Sequence, residues 1–288
     1  MLARVLQQFL VATNLWVGLS VGAFTYLSFH RATAQDAWWY SALVALATTA
    51  GYGYMRWVQV GQGPGKQTTL GHRWFLQNRT AASLILGLSL GLSLAILYFF
   101  AGWQLILFLI PALAVVLFYP ITFLHAFHAF TSLRSLPGLK LLLISACWTH
   151  LTFVVPMWMQ GQPMDIFFIT ETLLRTLFIA ALTIPFDVRD LAVDDENLKT
   201  LPQWVGTAKA LALAGLGLGL YQIWWAVQFA FQRISLGEML AGVVALEVSY
   251  HLVKGVLKNR SEMYISFWIE AIPLLLALLV LGVRWLGF

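Results

Sequence analysis

Residues 186–206 read FDVRDLAVDDENLKTLPQWVG and stand between two apolar runs, 166–186 and 206–228, each about as long as a helix needs to cross a bilayer. Five of the 12 Asp and Glu residues fall within 187–196, whereas the first 164 residues hold one carboxylate, Asp36. Asp187, Asp190 and Asp194 are spaced i, i+3 and i+7. A helix carried past the end of the first run sets these three carboxylates within an arc of about 60°. Lys199-Thr200-Leu201-Pro202 reads as a turn, and Gly206-Thr207 as the start of the next helix. The plain reading of an acidic stretch between two spans is a solvated loop. The helical spacing favours another: a row of hard oxygen ligands that holds Mg²⁺ through a few carboxylates while water and a phosphate fill its other positions. Arg189, Lys199, Arg134, Lys140, Arg73 and Arg79 supply cations for a diphosphate.

The rest of the chain is membrane-like. Of 288 residues, 60% are apolar and 10% charged, against about 25% charged in a soluble domain. The mean hydropathy of +0.79 excludes a water-soluble globule. Apolar stretches of spanning length lie at 5–29, 37–60, 80–100, 103–125, 138–160, 166–186, 206–228, 236–257 and 264–286, which predicts a single all-α integral membrane domain, 1–288, of nine transmembrane helices. The first run is too long for the apolar core of a signal peptide. Thirteen of the 17 Lys and Arg residues, among them Arg4, Arg56, Lys66, Arg73, Arg79, Arg134 and Lys140, fall at the N-terminus or in alternate loops. This bias places the N-terminus in the cytoplasm and the C-terminus outside. The net charge of +5 is therefore a topology signal, and no nucleic-acid partner is implied. One cysteine, Cys147, lies in an apolar run, which excludes an intramolecular disulfide and a thiolate zinc cluster.

Charges inside spans call for partners. Glu171 precedes Arg175 by four residues, and Glu247 lies at a similar depth in another span, which predicts a buried Glu171/Arg175/Glu247 network that fixes packing or anchors a ligand head. Glu270, near the start of the last span, is either a paired structural charge or a contact for an acceptor. The glycines of LILGLSLGLSLAI, 84–96, predict close helix approach. No phosphate-binding loop, nucleophile elbow or dinucleotide fingerprint is present.

The stretch 186–206, with its D-x-x-D-x-x-x-D pattern and Lys199-Thr200-Leu201-Pro202 tail, resembles the second Asp-rich motif of the UbiA superfamily of intramembrane prenyltransferases. LRSLPGLKLLLISACWTHLTFVVP, 133–156, and MYISFWIEAIPLLLALL, 263–279, resemble the fifth and ninth helices of a divergent bacterial branch, which implies a bacterial inner membrane. The resemblance implies nine helices around a central cavity and transfer of a polyprenyl group from its diphosphate to a lipophilic acceptor. It implies Mg²⁺ on Asp190 and Asp194, assisted by Asp187, with Lys199 near the phosphates. The superfamily's first Asp-rich motif belongs at the cytoplasmic end of the second helix. Here that place reads GYGYMRWVQVGQGPGKQTTLGHRW, 51–74, without a carboxylate. The retained acidic row points to a prenyltransferase-like enzyme. The missing motif points to a catalytically silent relative that binds a lipid or quinone-like ligand, or serves as an accessory to partner membrane subunits.

Overall fold

The computed structural model describes residues 2–29, 35–61, 69–119, 139–191 and 199–287, and among these every regular element is helical. This is the expected outcome for apolar chain in lipid, where each backbone N–H and C=O must find its partner within the protein. In order, the elements are α1 (Leu2–Ala12), α2 (Leu15–Leu27), α3 (Gln35–Gly61), α4 (Leu70–Gln77), α5 (Arg79–Phe100), α6 (Trp103–Phe118), α7 (Leu139–Thr149), a π turn (His150–Val154), α8 (Val155–Met159), α9 (Ile166–Asp190), α10 (Leu201–Val205), α11 (Thr207–Ala230), α12 (Leu236–Gly255), a second π turn (Tyr264–Ile269) and α13 (Ile272–Trp285).

The protein is an integral membrane protein. Among the described residues, six stretches are long and apolar enough to cross the bilayer, and α1 with α2 makes a seventh if that bent pair is one span. The expected span 37–60 corresponds to α3, 27 residues long but diluted by Tyr, Trp, Gly and Arg56. Of the expected span 103–125, the described part is the 16-residue α6. Within the expected span 5–29 the chain bends by 74° between α1 and α2. Asn14 stands at the bend with φ 62°, the left-handed region that Asn tolerates better than most residues. The hydroxyl of Thr13 turns back to the Phe9 carbonyl at 2.8 Å, and the Arg56 guanidinium donates to the Ala12 carbonyl, satisfying one of the orphan acceptors at the end of α1. The α1 helix then lies against α4, with Phe9 edge-on to Trp74, and exposes Leu2, Val5 and Leu6, in the manner of an interfacial helix.

The helices close into a ring. The α2 helix packs on α3, α3 on α5 and α6, α6 on α7, α7 on α9, α9 on α11, α11 on α12, α12 on α13, and α13 returns to α2. One apolar core joins α2, α9, α11, α12 and α13 through Phe24, Phe178, Leu218, Leu246 and Leu276. A second joins α2, α3, α6 and α8 through Val21, Tyr40, Val44, Leu105 and Val155. The α2–α3 approach depends on Gly18, where a Cβ would collide with the Thr49 hydroxyl and stand 2.6 Å from the Ala45 carbonyl oxygen. The expectation for residues 84–96 is corrected: Gly87 and Gly91 face open space on α5, beside exposed Leu84, Leu88 and Leu92, so they present surface to lipid.

Candidate functional site

The α9 helix does continue past residue 186, to Asp190, and so carries Asp187 and Asp190 out of the span in helical register. Asp187 is buried and accepts from Lys140 Nζ, on α7, at 2.6 Å. Asp190 takes a fork from its neighbour Arg189, Nε to Oδ1 at 2.7 Å and Nη2 to Oδ2 at 2.9 Å. Arg189 also donates from Nη1 to the Ser266 hydroxyl at 2.9 Å and covers the Phe186 ring. Asp187 is already committed to an ammonium. Asp194 and Arg134 lie outside the described residues. Among those described, no group of three or more His, Cys, Asp or Glu residues could by itself hold a metal.

The surrounding cations come from several elements. Lys199 is exposed at the entry to α10, with φ 44°. Arg73, on α4, lies 3.7 Å from Glu262, which also accepts from the Leu70 backbone N–H, so α4 is tied to the approach to the second π turn. Arg56 lies in the last two turns of α3, and Gly71 of α4 lies against its guanidinium so closely that a Cβ there would collide with it. The ends of α3, α7 and α9, the α4 helix and the second π turn thus gather Arg56, Arg73, Lys140, Arg189, Asp187 and Asp190 at one end of the ring.

Deeper in the ring, Glu171 and Arg175 form a buried pair at 2.9 Å. Arg175 also donates to the Ser28 hydroxyl at 2.6 Å and the Thr152 carbonyl at 3.1 Å, and lies between the rings of Phe24 and Phe153. Glu171 accepts from the Tyr221 hydroxyl at 2.8 Å and from the Trp224 indole. Glu247 is not part of this network: it is 55% exposed on the outside of α12 and lies 3.1 Å from His251. Its expected place is taken by Tyr221 and Trp224. The signal for them was their i, i+3 spacing on α11, with Gln228 four residues further on the same face.

Both π turns offer carbonyls to side chains, a common property of such local widenings of a helix. Leu151 and Thr152 of the first accept from Tyr40 and Arg175. Phe267 of the second accepts from the Trp16 indole at 2.8 Å, and the next residue after that turn, Glu270, accepts at its carbonyl from Ser20 at 2.5 Å. The side chain of Glu270 is half-buried.

No family model and no curated protein matches the sequence. Two solved structures share the fold. A UbiA homolog from Aeropyrum pernix K1, solved in its apo form, superposes with a TM-score of 0.65 over 93% of this chain and 97% of its own, at 13% identity. A UbiA homolog from Archaeoglobus fulgidus bound to GPP and Mg²⁺ superposes with a TM-score of 0.61 over 96% of this chain and 99% of its own, at 15% identity.

Proposed function

We infer that this chain, whose fold is that of UbiA homologues, binds an isoprenoid diphosphate at the charged end of its helix ring and passes the prenyl group to a lipophilic acceptor. The observation that carries the reading is the pairing of α9's Asp187 and Asp190 with Lys140 and Arg189 at that end, in a fold that another protein uses to hold GPP and Mg²⁺. Arg189, Lys140, Lys199, Arg73 and Arg134 supply positive charge to the diphosphate, bidentate contact being open to the arginines. Asp190 and Asp194 would hold Mg²⁺, and Asp187 fixes the position of Lys140. Such an ion would supply positive charge to the leaving diphosphate. Arg189 and Lys140 stabilise the same developing charge as the allylic carbon–oxygen bond breaks. The excess of Lys and Arg in alternate loops supports a cytoplasmic position for this end, and the resemblance of residues 133–156 and 263–279 to a bacterial branch supports a bacterial inner membrane.

One observation favours a second reading. Residues 51–74 hold no carboxylate, so metal would be bound from one wall only. A relative that keeps the helix ring for a lipid or quinone-like ligand, or as an accessory subunit, fits that loss. Binding of the non-hydrolysable S-thiolo analogue of geranyl diphosphate to the purified protein, with and without Mg²⁺, separates the two. The first reading expects Mg²⁺-dependent binding that Asp190→Asn and Asp194→Asn each weaken at least about tenfold, the loss of a charge-assisted contact. Folded protein that ignores the analogue at millimolar concentration overturns it in favour of the second.

A further inference from the structure

The bend between α1 and α2 borders a cavity that α3, α4 and α5 close, and its lining includes Asn14, Arg56, Trp74, Phe75, Ile85 and Leu86. None of α7, α9 and the second π turn, which carry Lys140, Asp187, Asp190, Arg189 and Ser266, contributes a lining residue. The cavity is therefore separate from the acidic row, and Arg56 is a cation that the transfer reading leaves unused. No carboxylate lines it. A guanidinium carries five N–H donors. Arg56 gives one to the Ala12 carbonyl and makes no other hydrogen bond among the described residues. Asn14 is 6% exposed. Its backbone is engaged on both sides, the N–H by Val11 and the carbonyl by Gly18 and Thr49, whereas its side-chain amide has no hydrogen bond among the described residues. The Trp74 indole N–H has none among them either. Buried donors left without acceptors are costly, and a buried cation without a counter-charge more so.

Charge, size and depth together define what fits. The donors call for an anion, and a cationic group would find no carboxylate. The enclosed part has a volume of about 20 Å³, room for one water-sized group, and the cavity with its open mouth takes up about 270 Å³. One oxygen of an anion can enter while the rest of the head stays at the mouth. The α1 helix rests on α4 beside the cavity with Leu2, Val5 and Leu6 exposed, as an interfacial helix does, which sets the cavity at the level of lipid head groups. From there α5 runs into the bilayer, its half-buried Ile85 and Leu86 continuing into lipid-exposed Leu84 and Leu88. We propose that this cavity seats the phosphodiester of an anionic membrane phospholipid. One phosphoryl oxygen accepts from Arg56 and Asn14, and the acyl chains follow α5. Gly71 keeps the guanidinium in place, since a Cβ there would overlap it. The lipid binds whether or not the chain transfers prenyl groups.

The test is native mass spectrometry of the full chain, stripped of lipid in detergent and titrated with dioleoyl phosphatidylglycerol, dioleoyl phosphatidylcholine, dioleoylglycerol or inorganic phosphate. The wild type is expected to retain one phosphatidylglycerol at least about tenfold more tightly than dioleoylglycerol, the worth of a charge-assisted hydrogen bond. Phosphatidylcholine, whose ammonium finds no carboxylate, falls between the two. Arg56→Gln and Gly71→Ala each weaken phosphatidylglycerol at least about tenfold, the first by removing the charge and the second by pushing it aside. Geranyl S-thiolodiphosphate with Mg²⁺ leaves the lipid bound. Equal binding of phosphatidylglycerol and dioleoylglycerol by the wild type, or an unchanged affinity in both variants, overturns the proposal, the cavity then holding water alone. Inorganic phosphate that binds as tightly as the lipid also overturns it and assigns the seat to a soluble anion. Displacement of the lipid by the thiolodiphosphate overturns it by moving the lipid to the acidic row. These comparisons in the wild type decide the matter even if a variant fails to fold.

Discussion

At the scale of single residues, the two carboxylates expected to share one buried network have opposite fates. Glu171 receives Arg175, Tyr221 and Trp224, whereas Glu247 sits at the surface of α12. Arg175→Met strands a buried carboxylate and is expected to destabilise the fold by about 3–5 kcal/mol, measured by SDS-induced unfolding in mixed micelles. Glu247→Gln is expected to change stability by no more than about 0.5 kcal/mol in the same assay. The Glu171–Arg175 pair was legible because four residues along one helix always bring side chains together. Glu247 was misplaced because a rise per residue gives depth but no azimuth. Leu246 and Ser249 take the inward face of α12, and a rotation of about 100° per residue turns Glu247 away from it. Of the acidic row, the helical register of Asp187 and Asp190 could be read from spacing. Their commitment to Lys140 and Arg189 could not, since Lys140 comes from 47 residues away.

Among the elements, α2 and α3 approach closely at Gly18, where a Cβ would meet the Ala45 carbonyl oxygen. Gly18→Leu is expected to cost about 1–3 kcal/mol by forcing α2 off Thr49 and Ala45, whereas Gly87→Leu on the lipid face of α5 is expected to be neutral in the same unfolding assay. A pattern of small residues says that close approach is available and leaves open which partner uses it. Here α2 uses its glycines and α5 does not. The break before α2 had a local signal in Thr13-Asn14, but the single apolar run of spanning length that passes across it, 5–29, conceals it. At the start of α9, Asp165 caps the Phe168 N–H and reaches Arg233. The Phe168 N–H, with Arg233 assisting, holds its carboxyl below the ordinary value of 3.8. A group with a depressed folded value contributes stability above its ordinary pKa and loses it as pH falls through the folded one. Acidification below pH 3.8 should therefore cost the wild type more stability than Asp165→Asn, by a small margin because the group is exposed to solvent.

For the whole molecule, the all-helical membrane architecture was legible from hydropathy alone, because lipid leaves the backbone no alternative. The order of helices around the ring was not, since it depends on which faces meet. The charge bias predicts that alkaline phosphatase fused after the last residue is active outside the inner membrane, and that a reporter fused to the N-terminus is retained in the cytoplasm. The return of α13 to α2 has a further meaning for how the protein is made. During synthesis the first spans enter the bilayer long before Tyr264–Trp285 leaves the ribosome, and that last segment carries Ser266 and Glu270. Until it arrives, Ser20 and Trp16 have no carbonyls to hold and Arg189 lacks Ser266. A ribosome that stops before this segment therefore releases an open horseshoe with its polar interior facing lipid, a species that membrane proteases can recognise.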